Sequence, residues 1–124
     1  ASRTDYQASE DDNVIVQAVQ GSPGAMGYFG FSYFEENQET LKALEIDGGD
    51  GCVAPNPEAI ASGDYPISRP LFIYVNKAKA EENAALAPFV DFYLENLAEF
   101  VESGGYVTMP DEQVEAAITA WTDR

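Results

Sequence analysis

The 124-residue sequence predicts an α/β fold whose sheet is only partly contained in the chain. Three observations lead there. Helix-like and strand-like patterns alternate, as layered α/β structures require. The run 71–75, Leu-Phe-Ile-Tyr-Val, is apolar throughout and rich in β-formers, the mark of a strand covered on both faces. Only about three convincing strands can be counted, whereas an open sheet has about five or six, so sheet partners are expected to be missing.

Residues 1–10 are polar and read as a loop. Ser9-Glu10-Asp11-Asp12 then precedes Val14, Ile15, Val16, Ala18 and Val19. The Ser-x-x-Asp spacing resembles a capping box with Asp in place of Glu, and a short helix is predicted over 12–20, stopped by Gly21. Acidic residues in its first turn suit the positive end of the helix dipole. Gly21-Ser22-Pro23-Gly24 is a turn. The Gly-punctuated apolar run 25–31 predicts a buried strand, with Gly24, Gly27 and Gly30 as close-packing glycines of strand and turn. Their spacing is not the dinucleotide fingerprint.

Ser32-x-x-Glu35 reads as a second capping box, opening a short helix through about Asn37. Leu41, Ala43, Leu44 and Ile46 read as a strand ending at Asp47. The Gly-Gly-Asp-Gly stretch 48–51 is a surface loop; Gly49 and Gly51 sit where a calcium loop needs ligands. Asn56-Pro57 starts a helix that ends near Ser62-Gly63. Pro66 and Pro70 bracket an extended connector into 71–75. The longest helical pattern spans 81–101, with Leu86, Phe89, Val90, Tyr93, Leu97, Phe100 and Val101 on one face. Pro88 marks the first turn of its main part, which makes the segment before it a separate turn. Ser103-Gly104-Gly105 ends it, and a final helix over 111–121 carries Val114, Ala117, Ile118 and Trp121.

Charge and composition exclude several functions. The net charge is −16, so nucleic acid and anionic membrane surfaces are poor partners. The chain has no His, which removes the commonest general base and the commonest metal ligand. Cys52 is the sole cysteine and has no cation beside it in sequence to activate it. No apolar run reaches the ~18 residues of a membrane span. The polar, acidic beginning shows no signal-peptide pattern, and with no initiating Met a processed product or fragment is expected.

Two places attract a functional reading. Asp11, Asp12 and Asn13 open a helix, which is first of all a cap. A helix N-terminus also attracts anions, and an Asp acceptor there would favour a ligand that still carries a proton, such as HPO₄²⁻, over sulfate. Arg69, between Ser68 and Pro70, lies in the stiff connector, where it could pin a hinge by pairing with a carboxylate. The adjacent carboxylates Glu35-Glu36 and Glu81-Glu82 do not face each other on a helix and read as solvated charges.

Five stretches occur in an order that resembles one family: Ser-Glu-Asp-Asp-Asn-Val at 9–14, Gly-Ala-Met-Gly-Tyr-Phe-Gly-Phe at 24–31, Tyr-Phe-Glu-Glu-Asn at 33–37, Leu-Lys-Ala at 41–43, and Tyr-Pro-Ile-Ser-Arg-Pro-Leu-Phe-Ile-Tyr-Val-Asn at 65–76. Together they are similar to the C-terminal half of the phosphate-binding proteins that feed bacterial phosphate ABC importers. The resemblance implies part of a two-lobed type II periplasmic binding fold that closes on one phosphate, in the periplasm or secreted. It implies the second half of lobe two at 1–66, a crossover hinge at 67–76 containing Ser68, Arg69 and Pro70, and helices at 77–124 that pack on lobe one. The family's Arg and Ser-Gly-Thr ligand motif precedes the matched region and is absent here. Asp11, Asp12 and Asn13 are then expected behind the direct phosphate ligands. No cofactor, metal or catalytic residue is expected. The expected partners are phosphate, the importer's membrane subunits, and the N-terminal half of the same protein or another copy. The alternatives are a phosphatase-like relative, disfavoured by the absent His, and a swapped or interaction module without phosphate binding.

Overall fold

The computed structural model describes residues 4–123. Residues 1–3 of the loop expected at 1–10 lie outside the described residues, and residues 4–10 are irregular. The chain forms two compact units, Ala1–Ala43 and Leu44–Arg124.

The first unit is built on α1 (Asp12–Gln20) and α2 (Phe31–Glu35), which pack together. Asp11, not Ser9, is the N-cap of α1: its side chain accepts the Asn13 N–H at 3.0 Å. Ser9 instead braces Asp11, its hydroxyl meeting both the backbone N–H and the carbonyl of that residue at 3.1 Å. Val16 is buried on the inner face. The run 25–30, expected as a buried strand, is irregular, and Met26 and Tyr28 stand exposed. It stays close to α1 through Gly27, where an added Cβ would come within 2.8 Å of Val19 and 3.0 Å of Ile15. Gly27 is thus a close-packing glycine, whereas Gly24 has open space around it and takes a turn with φ 83°. α2 begins at Phe31 with Gly30 as N-cap, so Ser32 lies inside the helix and caps nothing. Gln20 ties the units of secondary structure together, donating to Asn37 at 3.1 Å and Thr40 at 2.8 Å.

The second unit opens with a short hairpin the sequence reading missed. β1 (Ile46–Asp47) and β2 (Cys52–Val53) pair antiparallel, Ile46 opposite Val53 and Asp47 opposite Cys52. The strand expected over 41–46 shrinks to β1, because only β2 is there to pair with it among the described residues. α3 (Pro57–Ser62) follows as predicted: Asn56 accepts the Ala59 N–H at 2.9 Å, Pro57 fills the first turn, and Gly63 closes the helix at φ 84°. Only glycine holds that left-handed conformation without a Cβ penalty.

The long helix expected over 81–101 is three helices: α4 (Lys77–Glu82), α5 (Leu86–Glu95) and α6 (Leu97–Ser103). Pro88 is the third residue of α5, where no intrahelical N–H is needed. The second break falls at Asn96, which leaves the helical region at φ −110°, ψ 18°. Its side-chain amide donates to the Phe92 carbonyl at 2.8 Å, competing for the acceptor its own backbone N–H also uses. Phe100 folds back against Phe92 and Tyr93, with ring centroids 5.7 and 6.1 Å apart. α7 (Asp111–Thr122) returns to this group, and Trp121 donates to Asp91 of α5 at 2.6 Å. Val90, Leu97 and Trp121 are buried.

The run 71–75 forms no strand. Leu71, Phe72, Ile73 and Tyr74 are exposed, and among the described residues no backbone hydrogen bond holds 71–75. A strand satisfies its N–H and C=O groups only through a neighbour, and this unit supplies none beyond the two-residue hairpin.

Candidate functional site

Asp11, Asp12 and Asn13 come together at the start of α1. Asp11 Oδ1 accepts both the backbone N–H and the side-chain amide of Asn13, at 3.0 and 3.1 Å. Asp12 Oδ2 lies 3.5 Å from the Gly30 N–H, the outer limit of hydrogen-bond reach, and so links α1 to the start of α2. All three side chains are therefore engaged in local hydrogen bonds, those of Asp11 and Asp12 to backbone N–H groups and that of Asn13 to Asp11. Two carboxylates at one helix end oppose a fully ionised anion unless the anion brings a proton to share.

Ser68, Arg69 and Pro70 lie in the second unit. The stretch 63–68 is tied down: Tyr65 N–H donates to Ala59 O at 2.9 Å, Tyr65 Oη to Leu44 O at 3.2 Å, and Ser68 N–H to Tyr65 O at 2.9 Å. Beyond Ser68 the tethers stop. Pro70 has no N–H to give. Arg69 makes no ion pair among the described residues; the pairing of Lys79 with Glu82, at 2.6 Å, lies within α4.

Two features were not anticipated. Asp47 organises the hairpin turn, its Oδ1 accepting the N–H groups of Gly49 at 2.8 Å and Gly51 at 3.1 Å. These two bonds hold its carboxyl below the ordinary carboxylate range. The signal was present: a four-residue, Gly-rich loop between Ile46-Asp47 and Cys52-Val53 is a hairpin pattern. An open cleft of about 590 Å³ lies between this turn and α3. Asp50, Glu58 and Asp64 line it, so its charge repels an anion. Among the described residues no cluster of His, Cys, Asp and Glu has the arrangement to hold a metal ion.

Residues 2–96 match the PBP superfamily domain. The chain belongs to the PBP superfamily. This PBP domain is 48% identical over 113 residues to Protein SphX of Synechocystis, an alignment covering 90% of this chain and 34% of that protein. It is 36% identical over 105 residues to the phosphate-binding protein PstS of Staphylococcus saprophyticus, covering 84% of this chain and 33% of that one. Among solved structures it superposes, with a TM-score of 0.77 and 42% identity, on a possible phosphate binding protein from Planctomyces limnophilus, over 99% of this chain and 44% of that chain. The chain thus spans about a third of the length of the curated relatives it matches. Its fold is part of a periplasmic-binding-protein fold. The runs 25–30 and 71–75, both expected as strands, are unpaired among the described residues. No helix among the described residues is long and apolar enough to cross a membrane.

Proposed function

We propose that the chain serves as part of the substrate-binding component of a phosphate ABC importer, working outside the cytoplasmic membrane and without catalysis. The observation that carries this reading is 42% identity over nearly the whole chain to a solved protein described as a possible phosphate binding protein. The names of the curated relatives support it. The absence of His in the sequence is in keeping with a binding rather than a hydrolytic role. In this reading residues 1–66 belong to one lobe, 67–76 cross between lobes with Ser68, Arg69 and Pro70 at the hinge, and 77–124 pack on the other lobe. Asp11, Asp12 and Asn13 stand behind the direct ligands and fix the backbone near them. The importer's membrane subunits are the partners.

The acidic cleft beside α3 does not suit phosphate, so the chain alone should bind it feebly. A chimera tests the reading: the matching third of the Synechocystis SphX protein is replaced by this chain and titrated calorimetrically with phosphate and sulfate. The expected result is binding of phosphate in preference to sulfate. A folded chimera that binds neither, or prefers sulfate, overturns the reading.

A further inference from the structure

The sequence holds two Asp-Gly pairs, Asp47-Gly48 and Asp50-Gly51, and both fall at the turn between β1 and β2. Such a pair carries a reaction of its own. The backbone nitrogen of the glycine attacks the side-chain carboxyl carbon of the aspartate before it, and glycine has no Cβ to obstruct the approach. A C–N bond forms, and the nitrogen's proton leaves with the carboxyl hydroxyl as water. Water then adds back to the cyclic succinimide. Opening at the main-chain carbonyl routes the chain through the side-chain carbon, which gives isoaspartate with no net change in atoms.

The turn treats the two pairs differently. Asp47 Oδ1 accepts the N–H groups of Gly49 at 2.8 Å and Gly51 at 3.1 Å. Both bonds favour the carboxylate, whereas a hydroxyl is expelled only from the protonated acid, so Asp47 is a poor electrophile. Asp50 is exposed, and its side chain makes no hydrogen bond or ion pair among the described residues. Its carboxyl is free to turn, but its attacker is not. The Gly51 nitrogen is the one whose proton is held by Asp47. To attack, it must give up a bond to a charged acceptor, which is stronger than a bond between neutral groups.

We propose that Asp50-Gly51 is a site of spontaneous isoaspartate formation that the Asp47 side chain holds latent by binding the attacking nitrogen. The reaction needs no partner but water. Its product adds one atom to the backbone between Asp47 and Cys52, which the hairpin holds opposite each other, so the modified turn loses the spacing on which that register rests.

The full chain and its Asp47→Ala variant are incubated side by side at neutral pH and body temperature. Isoaspartate is counted by enzymatic methylation and located by electron-transfer mass spectrometry. The variant is expected to form isoaspartate at Asp50 about tenfold faster than the parent, the factor that loss of one charge-assisted hydrogen bond implies. Adding Asp50→Glu, whose longer side chain no longer closes the same ring, is expected to abolish the signal. A peptide of residues 46–53 provides the unshielded rate at Asp50, and the parent chain is expected to react well below it. Circular dichroism follows the helices; where Asp47→Ala disturbs them, the comparison of parent with peptide decides. A variant no faster than the parent, a parent as fast as the peptide, or isoaspartate arising first at Asp47 overturns the proposal.

Discussion

Two apolar stretches of the second unit meet opposite fates. Val90 and Trp121, in α5 and α7, are 4% and 9% exposed, whereas Leu71 and Tyr74 are 63% and 91% exposed. Hydrophobicity does not separate them; the run 71–75 is the more continuously apolar. Backbone does. A helix closes its own hydrogen bonds and needs a neighbour only for one face. A strand needs a neighbour for its backbone before its side chains can be covered. Among the described residues the helices form and the run 71–75 stays unpaired.

The largest expected effect sharpens this contrast. Trp121→Ala removes a buried ring and the bond to Asp91, and should cost about 3 kcal/mol or more. Phe72→Ala removes a ring of comparable apolar character from an exposed site and should cost no more than about 0.5 kcal/mol. Urea denaturation of the two variants measures both. A Phe72→Ala cost above that of a surface change would show that 71–75 is packed in solution, and the contrast would fail.

The run 25–30 is an intermediate case. It forms no ladder, yet Gly27 sits hard against α1. Gly27→Ala would press a methyl group within 3.0 Å of Val19 and onto Ile15, β-branched side chains that have few rotamers to yield into. A loss of about 1–3 kcal/mol is expected, the usual range for overpacking. If the change is neutral or stabilising, this run is no better anchored than 71–75.

Legibility in the sequence follows the same division. α3 could be read almost to the residue because Asn56, Pro57 and Gly63 act within a few positions of themselves. The end of α1 at Gly21 and the extent of α7 were readable for the same reason. The break at Asn96 was hidden, because a side-chain amide reaching Phe92 leaves no mark on the apolar stripe of 81–101. The strand expected at 71–75 is neither paired nor buried among the described residues, since both depend on a neighbouring segment that its own residues do not name. At the candidate site, the cap at the start of α1 was legible, though Asp11 alone provides it, and the acidic cleft was not; Asp50, Glu58 and Asp64 meet only through the hairpin and the turn after α3.

The hairpin is the one place among the described residues where strands pair, and its support is local. Asp47 holds the N–H groups of Gly49 and Gly51, and both bonds favour the charged carboxylate, so its pKa lies below the ordinary Asp value of 3.8. A depressed folded-state pKa contributes stability that is present above the unfolded value. That contribution is lost as pH falls through the folded value. The turn should therefore keep its form at neutral pH and loosen only on acidification below the ordinary Asp range. Following the Gly49 and Gly51 amide shifts from pH 6 to pH 2 measures it; the expected midpoint lies below 3.8. Asp47→Asn keeps an acceptor oxygen but removes the charge, and should flatten that titration while leaving Ile46 opposite Val53. A midpoint at or above the ordinary value would mean that the two N–H bonds do not persist in solution. The pairing of Ile46 with Val53 would then lack its local support.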